Sequence, residues 1–157
     1  MRRAIHVLVA VVGLSANFTA NAAAPNELCR VLRAFVESVG PDETREFTFR
    51  TIWGAGFKDS NDPAFAGKRC VHGDYAPGLK VCDYLMQHGS TEFSETTAED
   101  TITCLSNGTR FAPNFDLHTG SFTVRYGGDY RGADVDITFD DDAEAGGMAL
   151  KVTARGF

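Results

Sequence analysis

Residues 121–152 read SFTVRYGGDYRGADVDITFDDDAEAGGMALKV and contain three segments in which apolar and polar side chains alternate. The segments are residues 121–126, 135–139 and 148–152. Alternation with a period of two is typical of a strand that buries one face. Two short linkers rich in Gly and Asp, residues 127–132 and 140–147, separate them. The stretch therefore predicts an antiparallel meander with one apolar face.

Residues 26–39 have the spacing of an amphipathic helix. Asn26 is a plausible N-cap, and Gly40 followed by Pro41 is a stop signal. The apolar stripe consists of Leu28, Val31, Leu32, Phe35, Val36 and Val39. A second, shorter helix is predicted over residues 77–88. Such helices must bury their stripes, and the apolar face of a sheet is the matching surface. The fold class is therefore α+β: a two-layer domain, with the N-terminal amphipathic helix and the short second helix packed on a mainly antiparallel sheet.

The segments between the two predicted helices and the meander are interpreted from the same periodic patterns. Residues 45–53 alternate and predict a half-buried strand, whereas residues 54–74 lose periodicity and predict a long ordered loop. Residues 91–94 and the β-branched run 101–105 are read as strands. Asn107-Gly108 follows them and suits a tight hairpin turn, because both residues tolerate a positive φ.

The first 22 residues have the layout of a signal peptide. Arg2 and Arg3 precede a mostly apolar run, residues 5–14, and Ala20-Asn21-Ala22 supplies the small-x-small pattern of a cleavage site. The apolar run is too short to span a bilayer. We therefore expect cleavage after Ala22, a single globular domain over residues 23–157, and a periplasmic or secreted product that meets the membrane only during export.

Four cysteines lie in the expected mature chain: Cys29, Cys70, Cys82 and Cys104. An even number in an oxidising compartment favours two disulfides that staple the domain. Three pairings are open, and we favour Cys70 with Cys82, across a local loop, and Cys29 with Cys104, from the first helix to the sheet. A zinc site is the weaker alternative, because no two cysteines have CxxC spacing.

The net charge of the chain limits the classes of partner that we expect. The chain has a formal net charge of −6, and loss of Arg2 and Arg3 makes it −8. Its basic residues are scattered among acidic ones, so no basic face is expected that could hold nucleic acid or an anionic membrane.

Residues with catalytic or metal-binding chemistry occur, but not in a diagnostic pattern. His72, His88 and His118 match no zinc motif, and Asp116, His118 and Ser121 are triad residue types without a nucleophile elbow. The acidic segment 140–144 could hold calcium, yet it departs from the EF-hand pattern. No cofactor is predicted, and a solvated hairpin tip is the favoured interpretation of the acidic segment.

Aromatic residues in or beside the long loop are the candidate binding residues: Phe57, Phe65 and Tyr75. Loops held by a rigid scaffold are where binding residues concentrate. The favoured hypothesis is an exported, disulfide-stabilised, non-catalytic protein that binds another protein or a small-molecule ligand, an inhibitor or immunity-type partner being one form. The alternative is a small cell-envelope hydrolase with Asp and His residues assembled by folding.

We expect the exported protein to begin at or near Ala23, because cleavage directly after Ala24 would place Pro25 next to the scissile bond. Intact mass and N-terminal sequencing of the exported product measure this. An uncut chain retained in the cytosol would contradict both the assigned compartment and the reasoning that pairs the cysteines.

Overall fold

In the part of the chain that the structure describes, three helices pack on one face of a five-stranded antiparallel sheet. The computed structural model describes residues 25–61 and 64–157, and the predicted signal segment, residues 1–22, lies outside them. The elements are α1 (Pro25–Glu37), β1 (Thr44–Trp53), β2 (Ala66–Val71), α2 (Ala76–His88), α3 (Ser94–Leu105), β3 (Gly120–Gly127), β4 (Gly132–Asp141) and β5 (Met148–Gly156). The predicted two-layer α+β fold is confirmed.

The strand order is β2-β1-β5-β4-β3, so β2 and β3 are the two edges of the sheet. The predicted meander is confirmed as β3-β4-β5, and β1 adds to β5. The register places Phe47, Val152, Ile137 and Phe122 in one row across four strands. Because side chains alternate along a strand, this row lies on one face of the sheet, which we name the helix face, and the opposite face is named the open face.

The core lies between α1 and the helix face. Leu32 and Phe35 of α1 are fully buried, as is the row formed by Phe47, Val152 and Ile137. Phe35 meets Phe47 edge to face, with ring centroids 5.3 Å apart. The apolar stripe predicted for residues 26–39 is thus buried in the core, as expected. None of the helices in the described ranges is long and apolar enough to cross a membrane.

Two predictions for the middle of the chain are wrong. The segment 54–74 is not a loop throughout, because β2 occupies Ala66–Val71 and pairs with β1. The predicted strands 91–94 and 101–105 do not form, because residues 91–93 lie in no helix or strand and α3 occupies Ser94–Leu105. Asn107-Gly108 consequently follows a helix, and it joins no pair of strands.

The composition of α3 explains the second error. Its four threonines favour a strand by propensity, but its buried residues Ala98, Thr101, Ile102 and Leu105 recur with helical spacing. The Thr101 hydroxyl donates to the Thr97 carbonyl at 2.8 Å, which satisfies the hydroxyl inside the helix. Burial against the rest of the protein therefore outweighs β propensity here.

Disulfides join Cys29 to Cys104 and Cys70 to Cys82, and the described residues include no free cysteine. The favoured pairing is confirmed. Because Cys104 lies in α3, the longer disulfide joins two helices, where a link from helix to sheet was expected. The shorter one joins edge strand β2 to α2.

We expect loss of the Cys29–Cys104 bond to destabilise the protein more than loss of Cys70–Cys82. The bonds span 75 and 12 residues, so chain entropy gives costs of about 4 and about 3 kcal/mol respectively. Urea unfolding of the double variants Cys29→Ala/Cys104→Ala and Cys70→Ala/Cys82→Ala measures the difference. The reverse order of stability would contradict this expectation.

Candidate functional site

A groove of about 1070 Å³ lies over edge strand β3, on the helix face. Its floor is made by Phe122, Val124 and Tyr126, which alternate along the strand. The side wall consists of residues from α1, from α3 and from the segment that follows α3. The groove exists because the helical layer buries the helix face of β4 but covers that of the last strand, β3, only in part.

Exposure along one row of the sheet locates the end of the helical layer. Phe47 is 1% exposed, and Val152 and Ile137 are 0% exposed, whereas Phe122 at the end of the same row is only half-buried. Val124 and Tyr126 are half-buried as well. An apolar face that is covered on the neighbouring strands and open on the edge strand is typical of a binding surface.

Tyr126 and Glu37 connect the floor of the groove to α1. The Tyr126 hydroxyl donates to Glu37 Oε1 at 2.7 Å. Burial of the phenol, together with this bond and the nearby Glu37 charge, raises the pKa of Tyr126 to about 12. The neutral phenol is therefore the form that the groove stabilises.

Arg33 is the basic residue of the α1 wall. Its Nε donates to the carbonyl of Cys104 at 3.2 Å, which attaches α1 to the C-terminal turn of α3 beside the Cys29–Cys104 disulfide. The remaining guanidinium nitrogens have no carboxylate partner among the residues that the structure describes. An exposed guanidinium thus stands at the margin of an otherwise mostly neutral groove.

The aromatic residues predicted to bind a partner lie in three different places. Phe57 is buried on the open face, where its ring packs on Gly67 and under the guanidinium of Arg69. Phe65 is exposed and meets the exposed Trp53 at the far end of β1, with ring centroids 5.2 Å apart.

Tyr75 lies at the other end of β1. Its ring packs edge to face on Phe35, its hydroxyl shares a hydrogen bond with Ser38, and the Arg45 guanidinium covers it. These contacts give Tyr75 a packing role. The structure does not bring the three predicted binding residues together, and Phe65, which contacts the exposed Trp53, is the one of the three that is exposed.

The histidines do not form a common site. His118 Nε2 lies 3.3 Å from Asp116 Oδ2, but these side chains are 86% and 68% exposed, and no hydrogen bond joins Ser121 to either residue in the described structure. His88 stacks on Tyr84 at the end of α2. Within residues 25–61 and 64–157, no group of three His, Cys, Asp or Glu side chains is arranged to hold a metal ion.

The acidic segment 140–144 is organised by Asp142. Its Oδ1 accepts from the backbone N–H groups of Glu144 and Ala145, and its Oδ2 accepts from Arg50 Nε at 2.5 Å. The bond from Ala145 and the Arg50 pair lower the pKa of Asp142. The carboxylate thus closes the β4–β5 turn and attaches it to β1.

Sequence reasoning missed the groove although it identified the floor. The alternation of Phe122, Val124 and Tyr126 was the available signal, and it was interpreted as a strand face that the helices would cover. The extent of that cover depends on where α1 and α3 cross the sheet, which alternation does not encode.

We expect the Tyr126 phenol to ionise near pH 12, whereas exposed tyrosines ionise at about pH 10. Because the folded-state pKa is raised, the stabilising contribution of the phenol is present below about pH 10 and is lost between about pH 10 and 12. Ultraviolet difference titration against a Tyr126→Phe variant isolates this group. Glu37→Gln should lower its pKa, and an unchanged pKa would show that the Glu37 charge does not act on the phenol.

Comparison of the chain with protein-family models, with curated proteins and with solved structures found no match. The roles of the groove residues are therefore inferred from their own contacts, exposure and charge.

Proposed function

We propose that this chain is an exported, disulfide-stabilised, non-catalytic protein that binds another protein or a ligand in the groove over β3. The observation that carries the proposal is the half-buried apolar floor of β3, next to strands whose equivalent residues are fully buried. Covering such a floor removes apolar surface from water, at roughly 25 cal/mol per Å².

The construction of the groove suits binding. The floor residues lie on a strand, and part of the wall is formed by two helices joined by the Cys29–Cys104 bond. A site built on rigid elements loses little conformational entropy when it is filled. Aromatic floor residues beside an arginine are also the residue types that dominate binding energy at protein interfaces.

Export is the second part of the proposal. It is supported by the signal-like pattern of residues 1–22 and is compatible with two disulfides, which persist in oxidising compartments. A domain held together by disulfides suits an inhibitor or an immunity-type protein, which acts by binding to its partner.

The alternative function, a small envelope hydrolase, has one supporting observation, the contact between Asp116 and His118. Both side chains are exposed to solvent, and neither lines the groove. A general base needs a bound substrate within hydrogen-bond reach in a shielded pocket. We therefore favour the binding function.

We expect Asn107→Trp to weaken partner binding by at least about tenfold, because Asn107 is exposed at the groove wall and an indole there would fill it. The exposed Asn114 lies outside the groove, so Asn114→Trp is the matched control. Affinity capture from the native cell envelope with the wild type and each variant, quantified for every recovered protein, gives the measurement.

Two further variants separate the alternatives in the same assay. His118→Ala should leave capture unchanged under the binding proposal, and loss of an enzymatic turnover in this folded variant would support the hydrolase. If Asn107→Trp captures the partner normally while Phe65→Ala loses it, the groove assignment is wrong and the Trp53–Phe65 pair is the binding surface.

A further inference from the structure

We infer that the occupant of the groove is an extended peptide segment of the partner, which adds to the free edge of β3 as a sixth strand and directs an acidic side chain to Arg33. This inference rests on the proposed function and specifies its ligand. Three observations carry it: the backbone groups at the edge of β3, the shape of the groove, and the unpaired charge on its wall.

The free edge of β3 presents backbone groups to solvent at alternate residues. Gly132 and Phe157 exchange both backbone hydrogen bonds, at 3.1 and 3.3 Å, so Gly132 directs its N–H and C=O toward β5. In an antiparallel ladder this direction alternates from residue to residue. It follows from the β3–β4 register that Ser121, Thr123 and Arg125 direct their N–H and C=O groups away from β4.

The two edges of the sheet differ in how they are protected. β2 has six residues, includes Lys68 and Arg69, and is held to α2 by the Cys70–Cys82 bond. β3 has eight residues without Pro, Lys or Asp, and its one charged side chain, Arg125, is paired with Asp134 on the open face. Native edges are usually guarded by charge, Pro or a covering element. By these criteria β3 is left open to another strand.

The groove provides space for the side chains of such a strand. Neighbouring strands lie about 4.8 Å apart, and alternate side chains of an added strand would point to the helix face. There they would lie beside Phe122, Val124 and Tyr126, against the apolar wall formed by Leu105 and Phe111. An added strand thus pairs the edge and covers the floor at once, which is how β-augmentation combines affinity with specificity.

The charges at the groove favour a carboxylate on the occupant. Three side chains of charged residue types line it: Arg33, Glu37 and Arg125. Glu37 accepts the Tyr126 hydroxyl, and Arg125 is paired with Asp134. Arg33 is held by the Cys104 carbonyl and has no acidic partner in the described ranges. A positioned guanidinium is well suited to a carboxylate.

The test uses the exported protein and, as probe, a display library of random peptides of about ten residues. Enriched peptides are synthesised, and their affinities are measured by calorimetry. We expect apolar residues at alternate positions, with Asp or Glu at one position of the same face. Methylation of backbone amides that face β3 should abolish binding, and methylation of the other amides should not.

Protein variants test the edge directly. Thr123→Pro removes an outward N–H without removing a bond to β4, and should weaken peptide binding by at least about tenfold. Thr123→Val is the matched control, because it also loses the hydroxyl bond to Asp136 but keeps the N–H. Circular dichroism and thermal melting verify that each variant is folded.

A second pair of variants tests the charge. Arg33→Gln should weaken peptides that carry Asp or Glu, and it should have little effect on the same peptides with Asn or Gln. Arg30→Gln is the control, since Arg30 lies on the same helix but is paired with Glu27. Equal losses from both variants would overturn the assignment of Arg33.

Several outcomes would overturn the inference and leave the proposed function intact. One is that the peptides bind Thr123→Pro as tightly as they bind the wild type. Another is that the groove binds decanoate but no peptide. A third is that sedimentation shows a dimer of the protein, which Thr123→Pro dissociates. A library that yields no binder, while envelope capture still depends on the groove, also overturns it. If capture is insensitive to Asn107→Trp, the proposed function itself fails.

Discussion

The Cys29–Cys104 disulfide is the constraint on which the groove depends, because it fixes α1 against α3. The Arg33 bond to the Cys104 carbonyl reinforces the same junction. Together these links hold the helical layer over the sheet, where it buries the helix face of β4, β5 and β1 but covers that of β3 only in part. The groove is therefore a consequence of helix packing, and the disulfide fixes the helical part of its wall.

The open face of the sheet explains why binding is assigned to the helix face. Its long side chains pair with one another across strands, as in Lys151 with Glu46 at 2.8 Å and Arg155 with Asp136 at 2.6 Å. Exposed pairs of this kind contribute little to stability, but they satisfy the charges and leave a polar, solvated surface. In the β4–β5 turn, the Asp142 carboxylate is likewise satisfied by the turn backbone and by Arg50. Neither the open face nor this turn presents a partly exposed apolar floor comparable to that of β3.

Sequence patterns predicted β1, β3, β4 and β5, together with α1 and α2, because each has a clear period and clear ends. The meander over residues 121–152 and the stripe from Leu28 to Val39 are examples. α3 was not predicted, since its threonines imitate a strand and only burial reveals its helical spacing. β2 was not predicted either, because it lies in the segment 54–74, which is rich in turn-forming residues. The groove was beyond sequence reasoning, because it is set by the relative placement of elements distant in the chain.

Amide hydrogen exchange of the free, exported protein, followed residue by residue by NMR, tests most directly whether β3 is an open edge. The account predicts slow exchange at Phe122, Val124 and Tyr126, whose N–H groups bond to β4, and fast exchange at Ser121, Thr123 and Arg125, whose N–H groups face solvent. Equal protection of all six amides would show that the edge is already covered, and would contradict the central claim.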